Sequence, residues 1–282
     1  MDYSILLPVA NKEHAAELGR LGSLLAKEHD GEVLALNVIK VPPTLQLSDG
    51  RYFLKERRPI IEQVIEQAKA VDVPVHTMLR LGRSVSEAII KTAGENSSDL
   101  ILFGWPGESG SNDRLFGSVI RTAWSPTPAD IVVIRSRPFD KLHRILVPVA
   151  GGPNGRLALA TAIALARNTQ EETEIVLLYV TPPGTDPQRA NALAKNAFRR
   201  ANGNLGYAQI ERHVVTAESP LDGILTEAQE TDMVVIGASE ERGFRNLLLG
   251  NVAQQVAEQA SARYSLCGGA VRWSSRCCGK RS

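Results

Sequence analysis

The chain has 282 residues, 43% of them hydrophobic, and a formal net charge of +1. That length supplies material for about two packed domains, and the balanced charge excludes a general attraction to nucleic acid or to an anionic membrane. No apolar run reaches the roughly 18 residues that cross a bilayer, and Met1-Asp2-Tyr3-Ser4 lacks the basic start of a secretory signal. The expectation is a soluble, cytoplasmic protein without membrane insertion.

In the first half, short runs that are apolar throughout fall near 3–9, 32–40, 73–80, 99–104 and 130–135. Stretches of helical period separate them near 12–29, 52–71, 84–96 and 117–124, and Leu18, Leu21, Leu24 and Leu25 form one apolar stripe. Continuous apolar strands alternating with amphipathic helices predict a parallel sheet covered on both faces. The second half repeats the order, with strands near 144–149, 173–180, 208–216 and 232–237 and helices near 155–168, 187–201, 220–230 and 250–261.

The repetition extends to individual residues. Ile5-Leu6-Leu7-Pro8-Val9-Ala10 returns as Ile145-Leu146-Val147-Pro148-Val149-Ala150, and the segment from Asp99 to Gly104 returns from Asp232 to Gly237. Gly117-Ser118-Val119 is answered by Gly250-Asn251-Val252. One domain has been duplicated. The short link Pro138-Phe139-Asp140-Lys141 predicts that the copies pack together.

The fifth strand of the second half is doubtful in the sequence, because Arg263-Tyr-Ser-Leu-Cys-Gly-Gly has no apolar run comparable to Ile131-Val-Val-Ile134. From Arg263 onward the chain holds five basic residues, no acidic ones, and all three cysteines, Cys267, Cys277 and Cys278. Neither CxxC spacing nor a nearby histidine gives these thiols a metal or redox role. The expected division is one domain over 1–138, a second over 141–267 and a poorly ordered basic tail over 268–282.

Ligands of doubly wound sheets sit beyond the carboxyl ends of the strands, where the strand order reverses. After the fourth strand, Gly104-Trp105-Pro106-Gly107 is followed, after nine intervening residues, by Gly117-Ser118 at the start of a helix. Glycines let backbone amides approach a phosphate, and a helix amino terminus attracts it. Each glycine taken singly is also explained by a tight turn.

The spacing Gly-two-Gly-nine-Gly-Ser resembles the ATP-binding signature of universal stress proteins. The Ile-Leu-x-Pro-Val strand starts, Asp99, and the Gly step before the last helix are similar to the same family, over roughly residues 3–262. The resemblance implies α/β architecture: two doubly wound parallel five-stranded sheets of strand order 3-2-1-4-5, with edge strands joining the two domains. It implies a nucleotide site at Pro8, Val9, Ala10, Gly104, Gly107, Gly117, Ser118 and Val119, taking ATP or AMP, with Mg2+ if ATP. The corresponding second site, Ala150, Gly237, Gly250 and Asn251, is degenerate.

Three departures bear on that site. The aspartate that ATP-binding relatives carry after Pro-Val is replaced by Ala10 and Ala150, which removes an acceptor for the nucleoside. In the second half Glu240 takes the place of a glycine, and a carboxylate there repels a phosphate. Asn251 stands where the signature has Ser or Thr.

Gly151-Gly152-Pro153-Asn154-Gly155 lacks the endings of a P-loop or a dinucleotide fingerprint and reads as a turn in which Asn154 caps the next helix. Its surroundings resemble the stress-protein domains attached to amino-acid permeases. Histidines 14, 29, 76, 143 and 213 are scattered, no Gly-x-Ser-x-Gly occurs, and nothing nominates an enzyme or a metal site. Two functions stay open: a regulatory or sensing module for stress that binds an adenine nucleotide in the first half, or a nucleotide-free module that binds a protein such as an amino-acid transporter. Self-association between the two domains, and of the chain as a homodimer, is the other expected partnership.

Overall fold

A computed structural model describes residues 3–105, 119–120, 122, 129–135, 141–152, 154–202, 205–237, 251–260 and 264–269. The first half contains β1 (Ser4–Pro8), α1 (Lys12–Lys27), β2 (Glu32–Lys40), α2 (Leu54–Ala70), β3 (Val75–Gly82), α3 (Val85–Glu95), β4 (Leu100–Trp105) and β5 (Asp130–Arg135). The second contains β6 (Arg144–Pro148), α4 (Asn154–Asn168), β7 (Glu174–Thr181), α5 (Pro187–Asn202), β8 (Ile210–Thr216), α6 (Pro220–Glu227), β9 (Met233–Gly237), α7 (Asn251–Gln259) and β10 (Tyr264–Gly269).

The ten strands form one sheet in the order β3-β2-β1-β4-β5-β10-β9-β6-β7-β8. Each half therefore has the expected parallel 3-2-1-4-5 arrangement, and the halves meet edge to edge where β5 and β10 run antiparallel, with Val133 opposite Cys267. The fifth strand that the sequence left doubtful is present. It lies in the interior of the joined sheet and runs through Gly268 and Gly269, because β9 and β5 supply ladders on both of its sides. Residues 270–282, and most of the helix expected over 117–124, lie outside the described residues.

Alternate strand residues feed two cores. Ile5, Leu7 and Val9 join Leu18, Leu21 and Leu25 of α1, Val64 of α2 and Leu159 of α4 in one. Leu6 and Ile101 join Ile89 of α3, Ile224 of α6 and Val256 of α7 in the other. Both clusters run unbroken through the two halves, as the short link between them predicts.

Matched aspartates fix the far end of the sheet. Asp99 Oδ2 accepts from the Ser4 amide at 3.0 Å, and Asp232 Oδ2 accepts from the His143 and Arg144 amides at 2.8 and 3.1 Å. The family-like aspartate is thus a clasp between the amino ends of neighbouring strands, remote from the ligand end. Ser84 and Ser219 cap α3 and α6, with Pro220 in the first turn of the latter. α4 begins at Asn154 itself, one residue earlier than the sequence suggests, after Gly151 with its positive φ of 85°.

Between the halves, the Arg167 guanidinium donates to Glu28 Oε1 at 2.5 Å and to the carbonyls of Leu205 and Gly206 at 2.8 and 2.7 Å. Asn168 donates to the other Glu28 oxygen at 3.1 Å. The carboxyl end of α1 is thereby tied to the second half.

Candidate functional site

β1 has β2 on one side and β4 on the other, both parallel to it. The chain leaves β1 toward β2 and β3, then returns to β4 and β5. The crevice between the carboxyl ends of β1 and β4 is therefore a topological switch point. Pro8, Val9 and Ala10 come to it from β1, and Gly104 from β4.

Val9 is buried, and its amide donates to the Leu36 carbonyl at 2.8 Å. Its own carbonyl accepts from Asn37 Nδ2 at 2.6 Å. Asn37 is 1% exposed, and its Oδ1 has no hydrogen-bond partner among the described residues. An unpartnered buried amide oxygen costs about 1 to 3 kcal/mol, so this atom next to the end of β1 is suited to receive a donor. Ala10 is exposed and offers no polar group there.

Gly104 packs against α1. A Cβ at this position would lie 2.7 Å from Leu18 Cδ1, so the end of the Leu18 side chain fills the space a side chain here would take. Val119 is half-buried in helical backbone and packs with the buried Ile120 on the second core. Gly107, Gly117 and Ser118 lie outside the described residues.

The matching place in the second half is built differently. Val149 donates to Leu178 at 2.9 Å, as Val9 does to Leu36, but the register position of Asn37 is taken by the half-buried Tyr179. Ala150 is exposed like Ala10. A Cβ on Gly237 would lie 2.5 Å from the Asn154 carbonyl oxygen and 2.6 Å from its carbon, so the first turn of α4 rests directly on the end of β9. Gly250 is outside the described residues, and Asn251 opens α7.

Asn37 is the residue that reading by motif passes over. Its signal is present in Glu32-Val-Leu-Ala-Leu-Asn-Val-Ile-Lys40, where one amide interrupts a strand buried on both faces. Among the described residues no group of three or more His, Cys, Asp or Glu side chains could hold a metal. Protonation is shifted away from this crevice: burial lowers the pKa of His29 and raises that of Tyr207, and the Arg80 hydrogen bond lowers that of Glu95.

The model of the universal stress protein family matches residues 3–135 and again 141–263. The chain belongs to the universal stress protein family. This stress-protein chain is 26% identical over 274 residues to a Na+/H+ antiporter of Synechocystis, a match that covers 94% of the chain and 38% of the antiporter. The chain thus spans well under half of that relative's length. It is 25% identical over 268 residues to a universal stress protein of Mycobacterium tuberculosis, covering 87% of the chain and 86% of the relative. A crystal structure of a universal stress protein from Archaeoglobus fulgidus superposes with a TM-score of 0.66 at 17% identity, over 94% of this chain and 95% of that one. That likeness establishes the tandem fold. No described helix is long and apolar enough to cross a membrane.

Proposed function

We propose that this stress protein is a regulatory module that senses an adenine nucleotide, ATP or AMP, in its first half, while the second half serves as its fixed pairing partner. One observation carries the reading. The complete glycine spacing starts from Gly104 at the switch-point crevice, and Val9 on the β1 side of that crevice is held by the buried Asn37, whose Oδ1 has no partner among the described residues. An adenine amino group or a ribose hydroxyl is the kind of donor that oxygen lacks, and its position partly replaces the acceptor missing at Ala10. Gly117, Ser118 and Val119 would serve the phosphates, with Mg2+ carried on them if the ligand is ATP. In the second half, Tyr179, Glu240 and the advance of Asn154 onto Gly237 argue for a degenerate site.

The test is isothermal titration of the chain with ATP, ADP and AMP, with and without Mg2+. The expected outcome is one molecule bound per chain, lost in Asn37→Leu and in Gly117→Asp while both variants stay folded. No heat at millimolar nucleotide would sink the proposal.

A second reading is favoured by Ala10 and Ala150 together with the similarity to an antiporter: a nucleotide-free module that regulates a transporter. Nucleotide released from freshly purified protein on denaturation, detected by mass spectrometry, would count against it.

A further inference from the structure

The net charge near zero conceals a local separation of charge on the outer helices. α5 carries Arg189, Lys195, Arg199 and Arg200 and no acidic residue over its sixteen positions. All four cations are exposed, and none of them has an ion pair among the described residues. Arg199 reaches the Asn196 side chain at 2.9 Å, and Arg200 reaches the Gly151 carbonyl at 3.5 Å. Asp186, the acid just before the helix, accepts from the Arg189 amide at 3.0 Å and so caps the first turn. α2 holds the matching place in the first half and is mixed in sign: Lys55, Arg57, Arg58 and Lys69 are interspersed with Glu56, Glu62 and Glu66, and Arg58 pairs with Glu62 at 2.8 Å. The fold therefore does not demand a helix of one sign here.

α5 presents these charges on a flat face. Its buried side is Ala190, Ala194, Ala197, Phe198 and Ala201, and with four alanines there the helix lies close on the sheet and does not stand clear of it. Opposite them, Arg189, Ala192, Leu193, Asn196, Arg199 and Arg200 form the outward face, with Lys195 at its margin. Leu193 is 44% exposed and lies on the line that runs from Arg189 to Arg200. The side chains between the cations are shorter than the cations themselves, so the four charged heads reach past them to a common level over about 16 Å of helix.

We propose that the outward face of α5 docks this chain on an anionic lipid bilayer, which it meets flat and without insertion. Charge complementarity names the occupant. Anionic headgroups move laterally to meet four unpaired cations, so no fixed pattern of partner side chains is needed. Each Lys or Arg held at such a surface contributes about fivefold to partitioning, and four together contribute roughly six-hundredfold. Leu193 settles at headgroup level with the aliphatic stems of the arginines on either side of it, while the alanine side of the helix stays in its own core. Duplex nucleic acid fits less well, because a helix that enters a groove must stand clear of its own sheet. The exposed positions of α5 hold no aromatic ring on which single-stranded bases could stack. A protein partner would find no acidic side chain on α5 to fix its register.

Cosedimentation of the full chain with vesicles at low ionic strength tests this, comparing phosphatidylcholine alone with an equal mixture of phosphatidylcholine and phosphatidylserine. The chain is expected on the mixed vesicles only, and it should leave them as salt is raised to about 1 M, where the Debye length is about 3 Å. Arg199→Gln with Arg200→Gln should weaken binding by about 25-fold, and Lys195→Gln alone by about fivefold. All three side chains are exposed, so circular dichroism should be unchanged. Arg57→Gln with Arg58→Gln on α2 removes the same charge as the α5 pair and should bind like wild type. DNA duplex added in excess should not release the chain from the vesicles. The inference is overturned by no binding to the mixed vesicles or by equal binding to both compositions. It is overturned equally by binding that survives the α5 variants, as the basic residues from Arg263 onward would give, by an equal loss in the α2 variant, or by release with the duplex.

Discussion

Gly104 and Gly237 occupy the same position in the two repeats, yet the same substitution should cost very different amounts. At Gly104 an added methyl meets the end of the Leu18 side chain at 2.7 Å, and Leu18 relieves the clash by a change of rotamer. Such an adjustment costs about 0.5 to 1.5 kcal/mol, partly offset by about 0.4 to 1 kcal/mol from the stiffer unfolded chain. At Gly237 the methyl meets the backbone oxygen, backbone carbon and Cβ of Asn154 at 2.5, 2.6 and 3.0 Å. Only displacement of the α4 amino terminus relieves that contact, at about 3 kcal/mol. Gly104→Ala should therefore be nearly neutral, while Gly237→Ala should lower the melting temperature by roughly 5 to 10 °C. Urea unfolding followed by circular dichroism and calorimetry measures both. Equal losses, or a larger loss at Gly104, would refute the view that α4 has closed the second crevice while α1 has left the first one open.

Restoring the family carboxylate with Ala10→Asp should tighten adenine-nucleotide binding by about 1 to 3 kcal/mol in titration calorimetry, since position 10 is exposed and tolerates the side chain. Unchanged affinity in a folded variant would mean that the pocket has diverged. A double-mutant cycle on Glu28→Ala and Arg167→Ala, read by urea unfolding, should give a coupling of about 1 to 2 kcal/mol, because the pair is charge-assisted and Glu28 is largely covered; an additive result would deny it a part in holding the halves together. His29 has a pKa below the ordinary histidine value because burial outweighs the pull of Glu28, Asp99 and Asp30. Its folded form resists protonation more than its unfolded form does, so its contribution to stability is full above about pH 6.5 and declines as the pH falls through that value. His29→Gln should flatten this slope in melts between pH 7.5 and 5. Truncation after residue 269 should leave the melting temperature unchanged, whereas truncation after residue 263 removes β10 from between β5 and β9 and should destabilise both halves.

The sheet was legible in the sequence because strands buried on both faces are written as unbroken apolar runs, and because the duplication states each run twice. β10 escaped that logic. Tyr264-Ser-Leu-Cys-Gly-Gly269 has little apolar content of its own, but an interior strand with a ladder on both sides satisfies its backbone regardless of composition. Motifs do not state causes: the aspartate just before β4 is a clasp at the opposite end of the sheet from the crevice, and Gly104 packs on the end of Leu18.

Duplication supplies an internal control for function, since every position needed only by the fold should be matched in both halves. The aspartate clasps, the glycines that end β4 and β9, and the serine caps of α3 and α6 are matched. Asn37 against Tyr179, Leu18 against Asn154 as the neighbour of the terminal glycine, and the apolar segment 45–53 against residues 182–186 are not. All three differences fall near the carboxyl ends of the strands, and in each the first half carries what the fold does not demand: an unpartnered amide, a crevice bounded by a movable side chain, and exposed aromatic rings. A helix turn lying on Gly237 closes the second crevice with backbone that cannot step aside without moving α4, so regaining a site there would require more than restoring Glu240 to glycine. The first crevice is accordingly where ligand binding should be sought, and variants at the second crevice should act chiefly through stability.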